Sequence, residues 1–257
     1  MGGLITILFL ASSYYHPDLI KPYLGHGIGN VEEFIIENKT VIGTSILKAT
    51  ELMFNQARTS GYFTDTLFHE FYFDMMTPYG QPHAIYSGLN DFKKIAESMN
   101  GIKPPIKTEL DMNPGDIPRK GGARREFFGT AVFNSDKMVG HLNSFETRCL
   151  LMVTNKFKKA IMTIEDKNKP WNAIVFDIRL GRKTKTNVYF EDGIPVINVK
   201  LNIEADILGI QSRINYEKVN LIDDLNNQLK TYLENGIRST HVKILKAANS
   251  FIDPFIY

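Results

Sequence analysis

The sequence predicts an α+β protein: an N-terminal mixed α/β domain, then a two-layer domain whose antiparallel sheet is covered by a long C-terminal helix. Three observations predict it. Phe127 to Met152 reads as two short apolar strands around the polar turn Asn134-Ser135-Asp136, followed by a capped helix. Val199, Leu201, Ile203, Ala205 and Ile207 alternate with Lys200, Asn202, Glu204 and Asp206, the period of a strand with one buried and one wet face. Leu221, Leu225, Leu229 and Leu233 recur every fourth residue, widened by Tyr232, which is the stripe of a helix laid on a sheet.

Bulk properties set the limits. A chain of 257 residues holds one large domain or two ordinary ones, and 43% hydrophobic residues suffice for real cores. A net charge of +2, with no acidic or basic tail, implies no nucleic-acid partner. The single cysteine excludes an internal disulfide framework. No apolar run reaches the length that a membrane-crossing helix needs.

Taken in order, Gly2 to Ala11 is apolar with no Lys or Arg before it, and is read as a buried strand rather than a secretory segment. Tyr14 to Gly29 reads as loop, and Val31 to Glu37 as a short strand or helical turn. Ser45 to Arg58 carries Ile46, Ala49, Met53 and Ala57 on one helical face. A second helix is expected from Asp65 to Met76, with Phe68, Phe71, Tyr72 and Met75 inward and Pro78 beyond its end. Tyr79 to Pro82 is a turn, and Asp91 to Met99 a third short helix. Residues 100–125 are rich in Pro and Gly with a basic end at Arg119 to Arg125, which marks a boundary. The expected division is 1–112, a linker at 113–125, and 126–257.

In the second unit Asn143 caps the helix and Glu146 reaches back to it, a capping box. Strands follow at Ala160 to Ile164, Ile174 to Leu180 and Thr184 to Phe190, then the turn Asp192-Gly193. In the last helix Asp223 and Asp224 suit the first turn and Lys243 and Lys246 the far end, complementing the helix dipole. Gly236 is expected to bend or divide it.

The run Gly129-Thr130-Ala131-Val132-Phe133, then Asp136-Lys137-Met138-Val139-Gly140, Leu142 and Glu146-Thr147-Arg148 resembles the C-terminal domain of the Ger(x)C family. Cys149 stands where that pattern has a small residue, often Gly. Leu67 to Pro82 is similar to the family's middle region. The resemblance implies a non-enzymatic, lipid-anchored C subunit of a nutrient germinant receptor. It would be peripheral to the spore inner membrane, with integral-membrane A and B subunits as partners and no cofactor. It also implies a lipoprotein signal with a lipidated cysteine. Since this chain has no cysteine before Cys149, it is expected to be a shortened member lacking part of the first domain.

Candidate chemistry is sparse. His69-Glu70 begins like a zinc-protease helix, but Phe73 occupies the position of the second histidine, so the motif fails. Gly25 to Gly29 has G-x-G-x-G spacing, unlike a dinucleotide loop. Cys149, among leucines, reads as structural. Lys156, Lys158 and Lys159 form a small basic cluster that suits either a solvated loop or anionic headgroups. Phe68, His69 and Tyr72, on a helix with aromatic residues all round, are the candidates for a subunit interface, together with Lys156, Lys158 and Lys159. No catalytic or metal residue is assigned. Two alternatives stand beside the receptor subunit: a soluble ligand-binding module with its site between the domains, and a hydrolase using His69 and Glu70.

Overall fold

The computed structural model describes residues 8–10, 57–64, 66–78, 80–89, 113–114 and 125–249. The elements are β1 (Leu8–Leu10), α1 (Ala57–Ser60), α2 (Phe68–Met76), β2 (His83–Leu89), β3 (Arg125–Asn134), β4 (Lys137–Leu142), α3 (Ser144–Val153), β5 (Lys159–Glu165), β6 (Ala173–Glu191), β7 (Ile194–Ile210) and α4 (Val219–Asn249). The strands form two sheets, ordered β1-β2-β3-β4 and β5-β6-β7. The chain is thus α+β, as its sequence pattern predicts.

In the first sheet β1 runs parallel to β2, and β2, β3 and β4 are antiparallel neighbours. Strand β2 was not anticipated. Its residues Ala84 to Ser87 are buried on both faces: Ala84 and Tyr86 pack with Phe71 of α2, and Ile85 packs on the other side with Phe63. A strand covered on both sides loses the alternation that betrays a half-wet one. Helix α2 packs one face through Phe71 against Ala84, Tyr86, Ala131, Phe133 and Met138. On the other face the Thr130 hydroxyl meets that of Thr147 in α3 at 3.0 Å. Gly129 opens the expected hairpin at φ 88°, where a Cβ would overlap the Leu142 carbonyl oxygen. The motif therefore needs glycine there. The expected linker, 113–125, lies almost wholly outside the described residues, and β2 and β3 pair directly across it. The expected elements at 14–29, 31–37 and 91–99, and most of the helix at 45–58, also lie outside them.

The second sheet is an antiparallel meander. Its core joins Leu151, Met152 and Phe157 to Ala160, Met162 and Ile164 of β5, Ile174, Phe176 and Ile178 of β6, and Leu225, Leu229 and Leu233 of α4. The leucine stripe does cover the sheet. Two details differ from expectation. Helix α4 starts at Val219, so Asp223 and Asp224 fall beyond its first turn. Ala205 and Ile207 are exposed; on β7, Leu201, Ile203 and Ile210 are the residues that pack against the core. On the outer face Arg179 bridges Glu204 at 3.0 Å and Asp206 at 2.5 Å, which fixes the β6–β7 register through polar pairs.

The turn after β5 is tied to the approach to α4. Tyr216 donates its hydroxyl hydrogen to Asp166 Oδ1 at 2.5 Å, and the Asn168 N–H donates to the same oxygen at 2.9 Å. Leu225 is only 2% exposed beneath this closed layer. Leu225→Asp should therefore cost about 4 kcal/mol or more, through lost packing and an unpaired buried charge. The measurement is a thermal melt, and the expected result is loss of the cooperative transition. A variant melting with the parent would remove α4 from the core.

Candidate interaction surface

Helix α2 presents two different apolar faces. Phe71 and Met75, four apart, turn inward onto the first sheet. Tyr72, Phe73 and Met76 turn outward, with Phe73 68% exposed. Tyr72 was expected inward. A nine-residue helix on a flat sheet buries one stripe only, and Phe71 and Met75 already occupy it. The side chain of Phe68 lies outside the described residues.

The outward residues line an open depression of about 550 Å³, whose polar rim is His69, Glu70 and Asp74. Glu70 accepts from the Leu67 N–H at 3.1 Å, which satisfies an orphan amide at the start of α2. The same carboxylate meets Lys156 Nζ at 3.8 Å. That contact brings together two candidate groups far apart in sequence, the aromatic helix and the lysine loop after α3. Lys158 and Lys159 are exposed beyond it. His83 lies near the same charges; burial pulls its imidazole below the ordinary range, so it is neutral near pH 7.

The family-like residues at the start of α3 have structural duties. The Asn143 side chain accepts from the Glu146 N–H, and the Asn143 N–H donates to Glu146, both at 2.8 Å. Glu146 also holds Lys243 of α4 at 2.7 Å. Arg148 is 2% exposed, donates to the Ser60 carbonyl at 3.3 Å, and stacks its guanidinium 4.4 Å from the Tyr62 ring centre. Cys149 is buried against α4, and burial pushes its thiol from 9.0 up to about 12. Such a thiol is a poor nucleophile at neutral pH. Among the described residues no three His, Cys, Asp or Glu side chains gather as a metal site, and no helix is long and apolar enough to cross a membrane.

A further exposed surface was not anticipated. Beyond Thr184 the β6–β7 hairpin leaves its helical cover and ends at Asp192-Gly193, both in left-handed conformation. Val188, Tyr189, Phe190, Ile194 and Ile197 are exposed along this arm. The signal was present: apolar residues crowd both sides of the turn, more than one covering helix can bury.

Residues 128–255 match the family model described as Spore germination B3/ GerAC like, C-terminal. The matched span begins one residue before the glycine of the β3 motif and ends beyond the described part of α4. The chain belongs to the Ger(x)C family through this domain. No curated protein matches the chain. A solved structure, the crystal structure of the GerBC protein, is similar at 23% identity over 46% of this chain and 36% of that one, with a TM-score of 0.33. The chain therefore spans about a third of that protein.

Cys149 supplies a test of the α3–α4 seam. Its folded pKa is raised, so its contribution to stability is complete below pH 9 and is lost as pH rises toward 12. The parent should lose up to about 1.4 kcal/mol per pH unit in that window. Cys149→Ala should lack this extra slope. Denaturant melts at stepped pH check it; equal slopes would place the thiol in water.

Proposed function

We propose that this chain is a non-enzymatic subunit of a spore nutrient germinant receptor, acting in germination through protein–protein contacts at the membrane. The observation that carries the reading is the match of residues 128–255 to the spore germination family. The chemistry-bearing side chains agree with it. Glu70 and Glu146 serve helix starts, Arg148 holds a buried join, and Cys149 is unreactive. Their work is structural, which leaves the molecule's surfaces as its means of action.

On this reading the unit 126–257 is the family's C-terminal domain, and residues 1–112 belong to a preceding domain across the 113–125 linker. The α2 surface meets an integral-membrane A or B subunit, with Tyr72 and Phe73 as apolar anchors and His69 and Glu70 on the rim. Interfaces commonly concentrate their energy in such aromatic anchors ringed by polar groups. Lys156, Lys158 and Lys159 sit beside it and face the anionic surface of the spore inner membrane, each lysine near the headgroups adding about 1 kcal/mol.

Co-purification from spore membranes tests this reading. Tyr72→Ala with Phe73→Ala should reduce recovery of the membrane subunits about tenfold or more and slow nutrient germination. Both rings are largely exposed, so the melting temperature should hold. Normal recovery and germination in the double variant would refute this surface as the contact.

A further inference from the structure

Among the described residues strand β6 has an open edge. It pairs with β7 along its whole length, but β5 covers its other side only from Ala173 to Arg179. Thr184 closes the next stretch. Its N–H donates to Asn155 Oδ1 at 2.6 Å, its carbonyl accepts from Asn155 Nδ2 at 3.2 Å, and its hydroxyl donates to the Met152 carbonyl at 2.7 Å. From Lys185 to Glu191 no described strand lies on that side, and all these residues are exposed, Val188 at 62% and Phe190 at 73%.

Open edges in stable proteins are blunted by proline, bulges or inward charges. This one is not. The β6–β7 register runs without a shift from Lys185↔Lys200 to Glu191↔Ile194. A two-stranded ribbon is also marginal by itself and gains from a third strand.

The order Lys185-Thr186-Asn187-Val188-Tyr189-Phe190-Glu191 is complementary to itself. Turn a second copy antiparallel about Val188. Lys185 then stands opposite Glu191 of the second copy, Thr186 opposite Phe190, and Asn187 opposite Tyr189, and the symmetry makes every pair twice. Parallel pairing in the same register sets Lys opposite Lys and Glu opposite Glu. Sliding the antiparallel pair by two residues leaves Lys185 opposite Tyr189. Charge thus selects one orientation and one register.

The faces agree as well. Thr186, Val188 and Phe190 share a face with Val199 and Ile197 of β7, since directly opposed residues point the same way. Joined edges would merge two short apolar strips into one. We infer that the Lys185–Glu191 edge of β6 is a self-association site, pairing two copies of this chain about a two-fold axis at Val188 into one continuous sheet.

Sedimentation of the full chain over a concentration series at low salt tests the site. The expected result is a reversible dimer of twice the monomer mass. Lys185→Glu and Glu191→Lys should each weaken it about tenfold or more, since both symmetric pairs become like-charged. An equimolar mixture of the two variants should regain parental association, because each Glu then meets a Lys. The double reversal K185E/E191K should do the same by itself. Restoration on mixing also shows that neither variant is misfolded. A parent that stays monomeric, single reversals without effect, or a mixture that fails to associate would each overturn the site. So would a monomeric parent that floats with phosphatidylglycerol vesicles and loses this on Val188→Asp, which would assign the arm to a lipid surface.

Discussion

The close crossing of α3 and α4 at Gly236 is the contact on which the C-terminal layers depend. A Cβ at Gly236 would overlap the Phe145 ring and lie 3.1 Å from Cys149 Sγ. Only a bare backbone lets the helices approach so closely. Glycine inside a helix costs about 1 kcal/mol relative to alanine. The return is that α4 is pinned along its length. Leu225, Leu229 and Leu233 lie on the β5–β7 sheet, Gly236 lies on α3, and Lys243 reaches Glu146 at the α3 start.

Helix α3 then distributes that constraint. Thr147 meets Thr130 of the first sheet, Arg148 reaches Ser60 and Tyr62 before α2, and the Met152 carbonyl receives Thr184 of β6. One ten-residue helix thus touches both sheets and the long helix. Glu146 and Arg148, in the run that resembles the family, thus hold these parts in place. Two apolar surfaces stay exposed on this scaffold, the outer face of α2 and the hairpin arm, and the proposed contacts rest on them.

Much of this was legible where one residue pattern had one physical meaning. The Asn143–Glu146 box and the leucine stripe are local signals, and the structure has both. Strand β2 was hidden because burial on both faces erases period two. Tyr72 was misassigned because an apolar residue on an apolar helix does not say which side its sheet occupies. Gly236 reads as a bend or a division in sequence, and α4 is not divided there, running from Val219 to Asn249. Its role depends on Phe145, a residue far away in sequence, and no local pattern reports such a contact. Of the candidate surface, Glu70 and Lys156 were each visible, but their pairing belongs to the fold.

The stability of Gly236→Ala tests the central crossing most directly, because two effects of opposite sign compete. Helix propensity alone would make alanine stabilising by about 1 kcal/mol. The overlap with Phe145 predicts the reverse, a net loss of about 1–3 kcal/mol as the helices are forced apart. A melting temperature several degrees below the parent is the predicted result. A temperature equal to the parent or above it would contradict the close crossing and the account built on it.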